Sequence, residues 1–374
     1  MTLRATRAEV DAGAIAHNVS ALARLVAPAE LCVVVKADGY GHGAVGAARA
    51  ALAAGATRLA VALTEEGAAL RAAAIEAPVL LLSEPPPTDA PAVIRARLEP
   101  AVYTEAGITA LAAAASADDP LPVHLKVDTG MHRVGCRPGD ATRLAKEIVA
   151  NGRLRLASVW THLAVADEPD EPFTEAQLAA YRDVLRALES AGIDVPLRHA
   201  ANSAGAIAHP DARFDMVRCG IAVYGIPPSP ALADSVDLQP ALRLVSAVSL
   251  VKVVEEGATV SYGRRYRAAR PSVIATVPLG YADGVRRSLG AAGGEVLIRG
   301  RRRPIAGTVT MDQLMVDCGD DETVAVGDEV VLIGRQGDEE VPATEWAERL
   351  DTIGYEIVCG IGQRVPRHWT GDDR

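Results

Sequence analysis

The 374-residue chain is poor in aromatic residues, which make up 3% of it and include only two phenylalanines. Stacking platforms for nucleobases are built from such rings, so that mode of binding is disfavoured. Positive charge is also short. Acidic residues number 48 against 38 Lys and Arg, a formal net charge of −10, whereas a phosphate backbone calls for a basic surface. No nucleic-acid partner is expected. No apolar run approaches the ~20 residues that span a bilayer. The opening stretch MTLRATRAEVDAGAIAHN lacks the apolar core of a signal peptide. The expectation is a cytoplasmic protein with no membrane partner. The five cysteines (Cys32, Cys136, Cys219, Cys318 and Cys359) form no C-x-x-C pair, and in a reducing compartment they are expected to be small buried hydrophobes. The eight histidines show no H-E-x-x-H spacing, so no metal site is expected.

What is present is an alternation. Short apolar runs recur at LCVVVKAD (31–38), RLAVAL (58–63), APVLLLS (77–83), EPAVYT (99–104), PVHLKVD (122–128), LASVWTHL (156–163), LRHAANS (197–203) and MVRCGIAVYG (216–225). Branched apolar runs of this length are typical of strands buried on both faces. The Ala/Leu/Glu/Arg-rich stretches between them read as helices. Eight such units predict an N-terminal (β/α)8 TIM-type barrel over residues 1–232. A doubly wound sheet is the rival, but no G-x-G-x-x-G turn supports it. After a proline-rich stretch near 226–240 the pattern changes to short β-branched runs with Gly/Asp turns and one helix, TEWAERLD (344–351). Residues 233–374 therefore read as a mainly β-strand C-terminal domain. The first twelve residues are compatible with either domain.

Barrel enzymes place their chemistry where the strands end. The first strand ends in Lys36, beside the glycine-rich GYGHG. A lysine there is partly desolvated and offers a nucleophilic amine, although a snorkelling rim lysine reads the same way. Strand seven ends Asn202–Ser203, and strand eight runs Arg218-Cys219-Gly220-Ile221. A serine hydroxyl with N–H groups around Gly220 would make a phosphate nest, though a helix cap at Ser203 and a plain turn at Gly220 are equally open. Lys126, Arg133 and His162 end strands five and six on the same rim. A covalently reactive lysine and a phosphate nest on one rim suggest pyridoxal phosphate.

These segments resemble alanine racemase, the fold-type-III pyridoxal-phosphate family. The likeness rests on VVVKADGYGHG (33–43), KVDTGMHRVG (126–135), THLAVADE (161–168), ANSAG (201–205) and MVRCGIAVYG (216–225). It continues through VSYGRRY (260–266), PLGYADG (278–284), VTMDQLMVD (309–317) and YEIVCGIGQRVPR (355–367), in order. The resemblance implies interconversion of L- and D-alanine, with D-alanine supplied to bacterial peptidoglycan. It implies that Lys36 holds the cofactor and acts as one base. Tyr40, Ser203, Gly220, Ile221 and Tyr355 would bind its phosphate, and Asn202 and His162 would lie in the cofactor site. Arg218 would meet the pyridine nitrogen without protonating it. Arg133 would reach the cofactor's phenolic oxygen and the substrate carboxylate, and Lys126 matches a carbamylated lysine that orients it. Tyr262 would be the second base, contributed by the other subunit of a homodimer and supported by His162 and Arg218. Met311 would offer its N–H to the substrate carboxylate, with Asp312 beside it, and Tyr281 and Arg287 would narrow the access corridor.

The chain departs from the family pattern at Gly39, where alanine is common, at Thr310, where cysteine is frequent, and at His132, where a small residue is usual. A racemase of serine or another small amino acid remains an alternative. A fold-type-III decarboxylase usually places an acid at the pyridine nitrogen, and Arg218 argues against it. A non-catalytic carrier of the cofactor would lack the second domain and Tyr262.

Overall fold

The computed structural model describes residues 4–371. The first three residues of the expected barrel domain and the last three of the expected C-terminal domain lie outside this range. The chain divides into two compact units, one of residues 15–39 and 44–239, the other of residues 1–14, 40–43 and 240–374.

The first unit is the barrel. Its strands are β2 (Glu30–Val34), β3 (Arg58–Val61), β4 (Val79–Leu81), β5 (Glu99–Val102), β6 (Leu121–Lys126), β7 (Leu154–Trp160), β8 (Arg198–His199) and β9 (Met216–Cys219). Among the described residues these eight form one parallel sheet in the order β8-β7-β6-β5-β4-β3-β2-β9. Backbone bonds from Asp215 N–H to Arg198 O and from Arg218 N–H to Ala201 O, both 3.0 Å, bring β9 back against β8. The helices between the strands bury one stripe each. Helix Ala141–Ala150 turns Ala141, Leu144, Ala145 and Ile148 inward, the i, i+3, i+4, i+7 spacing of an amphipathic helix. Each large side chain of this kind contributes about 1.5–3 kcal/mol when buried.

Strand seven is shorter than the apolar run LRHAANS suggests. The chain leaves β8 after His199 and enters helix Ser203–Ala208. The proline-rich stretch 226–239 lies on the barrel, because Asn18 donates to Gln239 O (2.8 Å) and accepts from Gln239 N–H (2.7 Å).

The second unit is mainly β. It comprises β1 (Arg7–Asp11), β10 (Leu242–Ala247), β11 (Leu250–Val254), β12 (Thr259–Val260), β13 (Tyr266–Arg267), β14 (Ser272–Val277), β15 (Glu295–Ile298), β16 (Arg301–Pro304), β17 (Leu314–Asp317), β18 (Glu329–Gln336), β19 (Glu339–Val341) and β20 (Arg367–Thr370). Strand β1 pairs antiparallel with β10 and parallel with β20, so the N-terminal strand sits in this sheet. The run LRLVSAVSLVKVV breaks at Val248–Ser249 into β10 and β11, which join different sheets. A second helix, Gly354–Cys359, follows helix Ala343–Arg349. The expectation of one helix missed it because YEIVC is short and β-branched. Four cysteines are buried as expected, but Cys359, at the end of that helix, is exposed.

Candidate active site

Lys36 does not end a strand. It opens a turn in which Ala37, Asp38, Gly39 and Tyr40 all have positive φ, between 51° and 62°. Left-handed backbone costs an L-residue roughly 1–2 kcal/mol, and strain of this kind persists only where neighbours over-determine it. Here Glu66 accepts from Ala37 N–H (2.6 Å), and Asp38 accepts from Ala44 N–H (2.8 Å). Gly39, at φ 62°, relieves one of the four positions, and a Cβ there would sit 3.2 Å from the Ala44 backbone. The glycine that departs from the family pattern thus suits its conformation. Glu66 is a turn-holding residue that motif reading did not find.

Arg218 lies on β9 and is only 3% exposed. Its guanidinium donates from Nη1 to His199 Nδ1 (2.7 Å), and from Nη2 to Thr161 O (2.9 Å), Ala200 O (2.9 Å) and His162 Nδ1 (3.1 Å). It stacks 4.5 Å from the Trp160 ring centroid. A guanidinium has five N–H groups. These contacts engage one on Nη1 and two on Nη2, which leaves donors for a ligand. Burial pushes Arg218 down to about 10, so it stays cationic at neutral pH. Burial and the charges of Arg218, Arg133, Lys126 and Lys36 hold His162 well below the usual imidazole range. His162 is therefore neutral, and its Nδ1 accepts from the arginine.

Lys126 ends β6 and is 4% exposed, with Nζ 4.3 Å above the Trp160 ring. Burial, then the charges of Arg218 and Arg133, push its pKa down to about 7, against a weak opposing pull from Asp128. Below pH 7 this lysine is charged in both folded and unfolded chains, and the folded state holds the full cost of burying it. Above about 10.5 it is neutral in both, and the cost is gone. Stability therefore gains from this group as pH rises through that window. Lys126→Met should raise stability more at pH 6 than at pH 9, which urea unfolding in carbonate-free buffer would measure. An equal gain at both would mean that the amine is not desolvated.

Arg133 is exposed, in the loop after β6. Neighbouring His132 has φ 56° and lies 3.5 Å from Asp128, whose Oδ1 accepts from the N–H groups of Gly130 and His132 (both 3.0 Å). Ser203 and Gly220 lie side by side, with Gly220 N–H donating to Ser203 Oγ at 2.9 Å, so that N–H is engaged within the chain. Ile221 starts the short 3-10 turn that follows. The cap of helix Ser203–Ala208 is Asn202, whose Oδ1 accepts from Gly205 N–H (2.9 Å), so capping does not account for Ser203. The charges of Lys36, Lys126, Arg133 and Arg218 thus converge on the neutral His162 on the barrel.

The remaining expected residues lie on the other unit. The Tyr40 and Tyr355 rings are 6.2 Å apart, and Arg367 donates to Gly41 O (2.8 Å). Tyr262 projects from the ribbon β12–β13 and is 70% exposed. Its carbonyl accepts from Thr308 Oγ1 (3.0 Å). The segment Tyr281–Ala282 is zipped to Thr310–Met311, with Tyr281 N–H donating to Thr310 O and Ala282 N–H to Met311 O, both 3.0 Å. A Cβ on Gly280 would meet Thr310 O at 2.2 Å, so only glycine allows this approach. Met311 and Tyr281 are exposed alongside Tyr262. Asp312 pairs with Arg364 (2.8 Å), Arg286 pairs with Glu356, and Arg287 is exposed.

Among the described residues, no group of three or more His, Cys, Asp or Glu is placed to hold a metal ion. Nor is any helix long and apolar enough to cross a membrane.

The N-terminal domain model of alanine racemase matches residues 10–228, and the C-terminal domain model matches residues 241–369. An alanine racemase of Symbiobacterium thermophilum is 50% identical over 371 residues, covering 99% of this chain and 98% of that protein. One of Thermobifida fusca is 47% identical over 97% of this chain and 98% of its own. Among solved structures, alanine racemase from D-cycloserine-producing Streptomyces lavendulae superposes with a TM-score of 0.93 at 40% identity, covering 99% of this chain and 98% of that one. The enzyme from Bacillus anthracis with bound L-Ala-P gives 0.93 at 38% identity, over 100% and 97%. With both domain models matched and relatives alike over nearly the whole length, the chain belongs to the alanine racemase family.

Proposed function

We infer that this chain is a pyridoxal-phosphate-dependent alanine racemase, acting as a homodimer in the cytoplasm and supplying D-alanine for peptidoglycan. The observation that carries the reading is Arg218, a buried donor-only side chain held by two imidazole lone pairs on the rim that also bears Lys36. The rim suits this cofactor by its donor chemistry. Its cations outnumber its acids, and a serine hydroxyl lies beside the start of a tight turn, a setting for an anionic phosphate. When bound, pyridoxal phosphate supplies the electron sink that acidifies the substrate Cα–H.

The chain's residues do the rest. Lys36 holds the cofactor and exchanges a proton at Cα on one face. Tyr262 of the partner subunit serves the other face, since two faces need two acid–base groups. Ser203, the Ile221 N–H, Tyr40 and Tyr355 would hold the phosphate, with Gly220 N–H steadying the Ser203 hydroxyl and Asn202 fixing the helix that presents Ser203. Arg218, steadied by His162, donates to the pyridine nitrogen without surrendering its proton. Arg133 and the Met311 N–H take the substrate carboxylate, with Asp312 beside Met311. Tyr281 and Arg287 narrow access to small side chains. The Lys126 amine, neutral in part at pH 7, adds carbon dioxide to form a carbamate and release a proton. The new negative charge would face Arg133 and orient it.

Chiral analysis of products from a panel of amino acids tests the activity, with alanine expected to turn over fastest and without loss of carbon dioxide. Borohydride should fix the cofactor covalently on Lys36 alone. Fixation on another lysine would remove Lys36 from its role.

A further inference from the structure

Arg218 is buried, and among the described residues no carboxylate lies within ion-pair distance of it. A buried cation without a counter-charge is costly. The counter-charge lies at the far end of a row of hydrogen bonds through the barrel core. Arginine can only donate, so His199 Nδ1 must accept from Arg218, and the His199 proton sits on Nε2. That N–H donates to Ser158 Oγ at 2.9 Å. The one serine proton is then left for His124 Nδ1, at 2.6 Å. His124 Nε2–H donates to Glu99 Oε2 at 3.1 Å, and that oxygen also accepts from Arg58 at 2.9 Å.

We propose that Glu99, His124 and Ser158 are positioning residues for Arg218: with His199 they form a one-way hydrogen-bonded row that fixes the His199 tautomer and brings the guanidinium its counter-charge from the opposite mouth of the barrel. Its catalytic consequence rests on the racemase reading; its geometry does not.

Three features support the row. Its ends are a donor-only group and an acceptor-only group, so its direction cannot reverse without a bond breaking. Five adjacent strands, β9, β8, β7, β6 and β5, supply one residue each, and His199, Ser158 and His124 are buried. The β6–β7 register slips between Val123 and His124, so His124 pairs with Ser158 and not with Ala157. Irregularities of this kind re-aim side chains. The protonation states agree as well. Burial, opposed by Glu99, keeps His124 below the usual imidazole range, and burial with the Arg218 charge keeps His199 well below it. Each ring therefore carries one proton, as the row requires. Burial raises the Glu99 carboxyl, but His124, Arg58 and Arg155 outweigh it and keep it ionised. Glu99 opens β5, at the strand end opposite the catalytic rim, and lines a surface cleft with Arg97 and Leu121. A carboxylate there polarises the row cooperatively while staying remote from the ring nitrogen, where an adjacent acid would deliver a proton.

The test uses the holoenzyme labelled with 15N-histidine. His199 and His124 should both show the Nε2–H tautomer, unchanged from pH 6 to 9. Ser158→Ala should shift the His199 signals and lower kcat by about tenfold with KM little changed, and Ser158→Thr, which keeps the hydroxyl, should restore both. Glu99→Gln, at the solvent-facing end, should give His124 a mixed tautomer and lower kcat several-fold. It also stands in should Ser158→Ala fail to fold. A His199 proton on Nδ1, Ser158→Thr as impaired as Ser158→Ala, or Glu99→Gln with unchanged tautomers and rate would each overturn the proposal. The tautomer readout needs no turnover, so a parent enzyme that racemises nothing would overturn the functional reading alone.

Discussion

Lys36→Ala and Tyr262→Phe homodimers should each lose racemase activity by about a thousandfold, the middle of the range for a single acid–base group. A verified mixed dimer of the two should regain about half the parent rate. Racemisation removes the α-proton from one face of the substrate Cα and returns it on the other, and one amine cannot readily serve both faces. Lys36 stands on the barrel rim at the start of its strained turn. Tyr262 stands on the other unit, 70% exposed, and the backbone around it is fixed by Thr308 and by Ser261 Oγ, which donates to Thr308 O at 2.5 Å. A large aromatic group held on a set backbone and left uncovered is suited to completing a neighbour's site. In the mixed dimer, one site pairs Lys36 of the Tyr262→Phe chain with Tyr262 of the Lys36→Ala chain and is whole. The other site lacks both. Half activity follows if the two sites act independently. Mixed dimers that form, bind cofactor and remain inactive would refute a shared site.

Much of this was legible in the sequence, and the misses have physical causes. The barrel strands show as apolar runs because parallel strands are buried on both faces, leaving no polar alternation to confuse them. Run ends were less reliable. LCVVVKAD reads on into Lys36, but four left-handed residues turn the chain there. The break at Val248–Ser249 is invisible because both halves are β-branched. Lys36, Lys126, Arg133 and Arg218 are legible because each is a cation in or just beyond an apolar run. His124, Ser158 and His199 were passed over. Each sits within an apolar run and reads as a satisfied core residue when taken alone. The signal lay in the set, one polar residue on each of three successive strands, and only the register aligns them. Glu99 gave no signal, since a glutamate that opens a strand is ordinarily solvated.

Arg218→Glu should lower the racemisation rate by about 10²–10³-fold, the scale expected when a preorganised electrostatic group is lost at a reacting centre. Every hydrogen-bond partner of the Arg218 guanidinium is an acceptor: Thr161 O, Ala200 O, and the Nδ1 atoms of His162 and His199. A carboxylate there would meet lone pairs on every side, so the introduced acid must either keep its proton or take up a hydrogen bond from a tautomerised histidine. In its proposed role Arg218 would donate to the pyridine nitrogen and keep its own proton, which would favour prompt return of the substrate proton to Cα. An acid in its place would share its proton with the ring nitrogen, and exchange of the α-proton with solvent should then outpace inversion. Arg218→Lys retains the charge but not the planar fork, so it should fall between parent and Arg218→Glu. The deciding measurement is the ratio of solvent-deuterium incorporation at Cα to inversion, followed in both directions, with thermal unfolding run alongside because the substitution also removes four hydrogen bonds, three of them buried. A folded Arg218→Glu enzyme with the parent's rate and exchange ratio would take Arg218 out of the reaction.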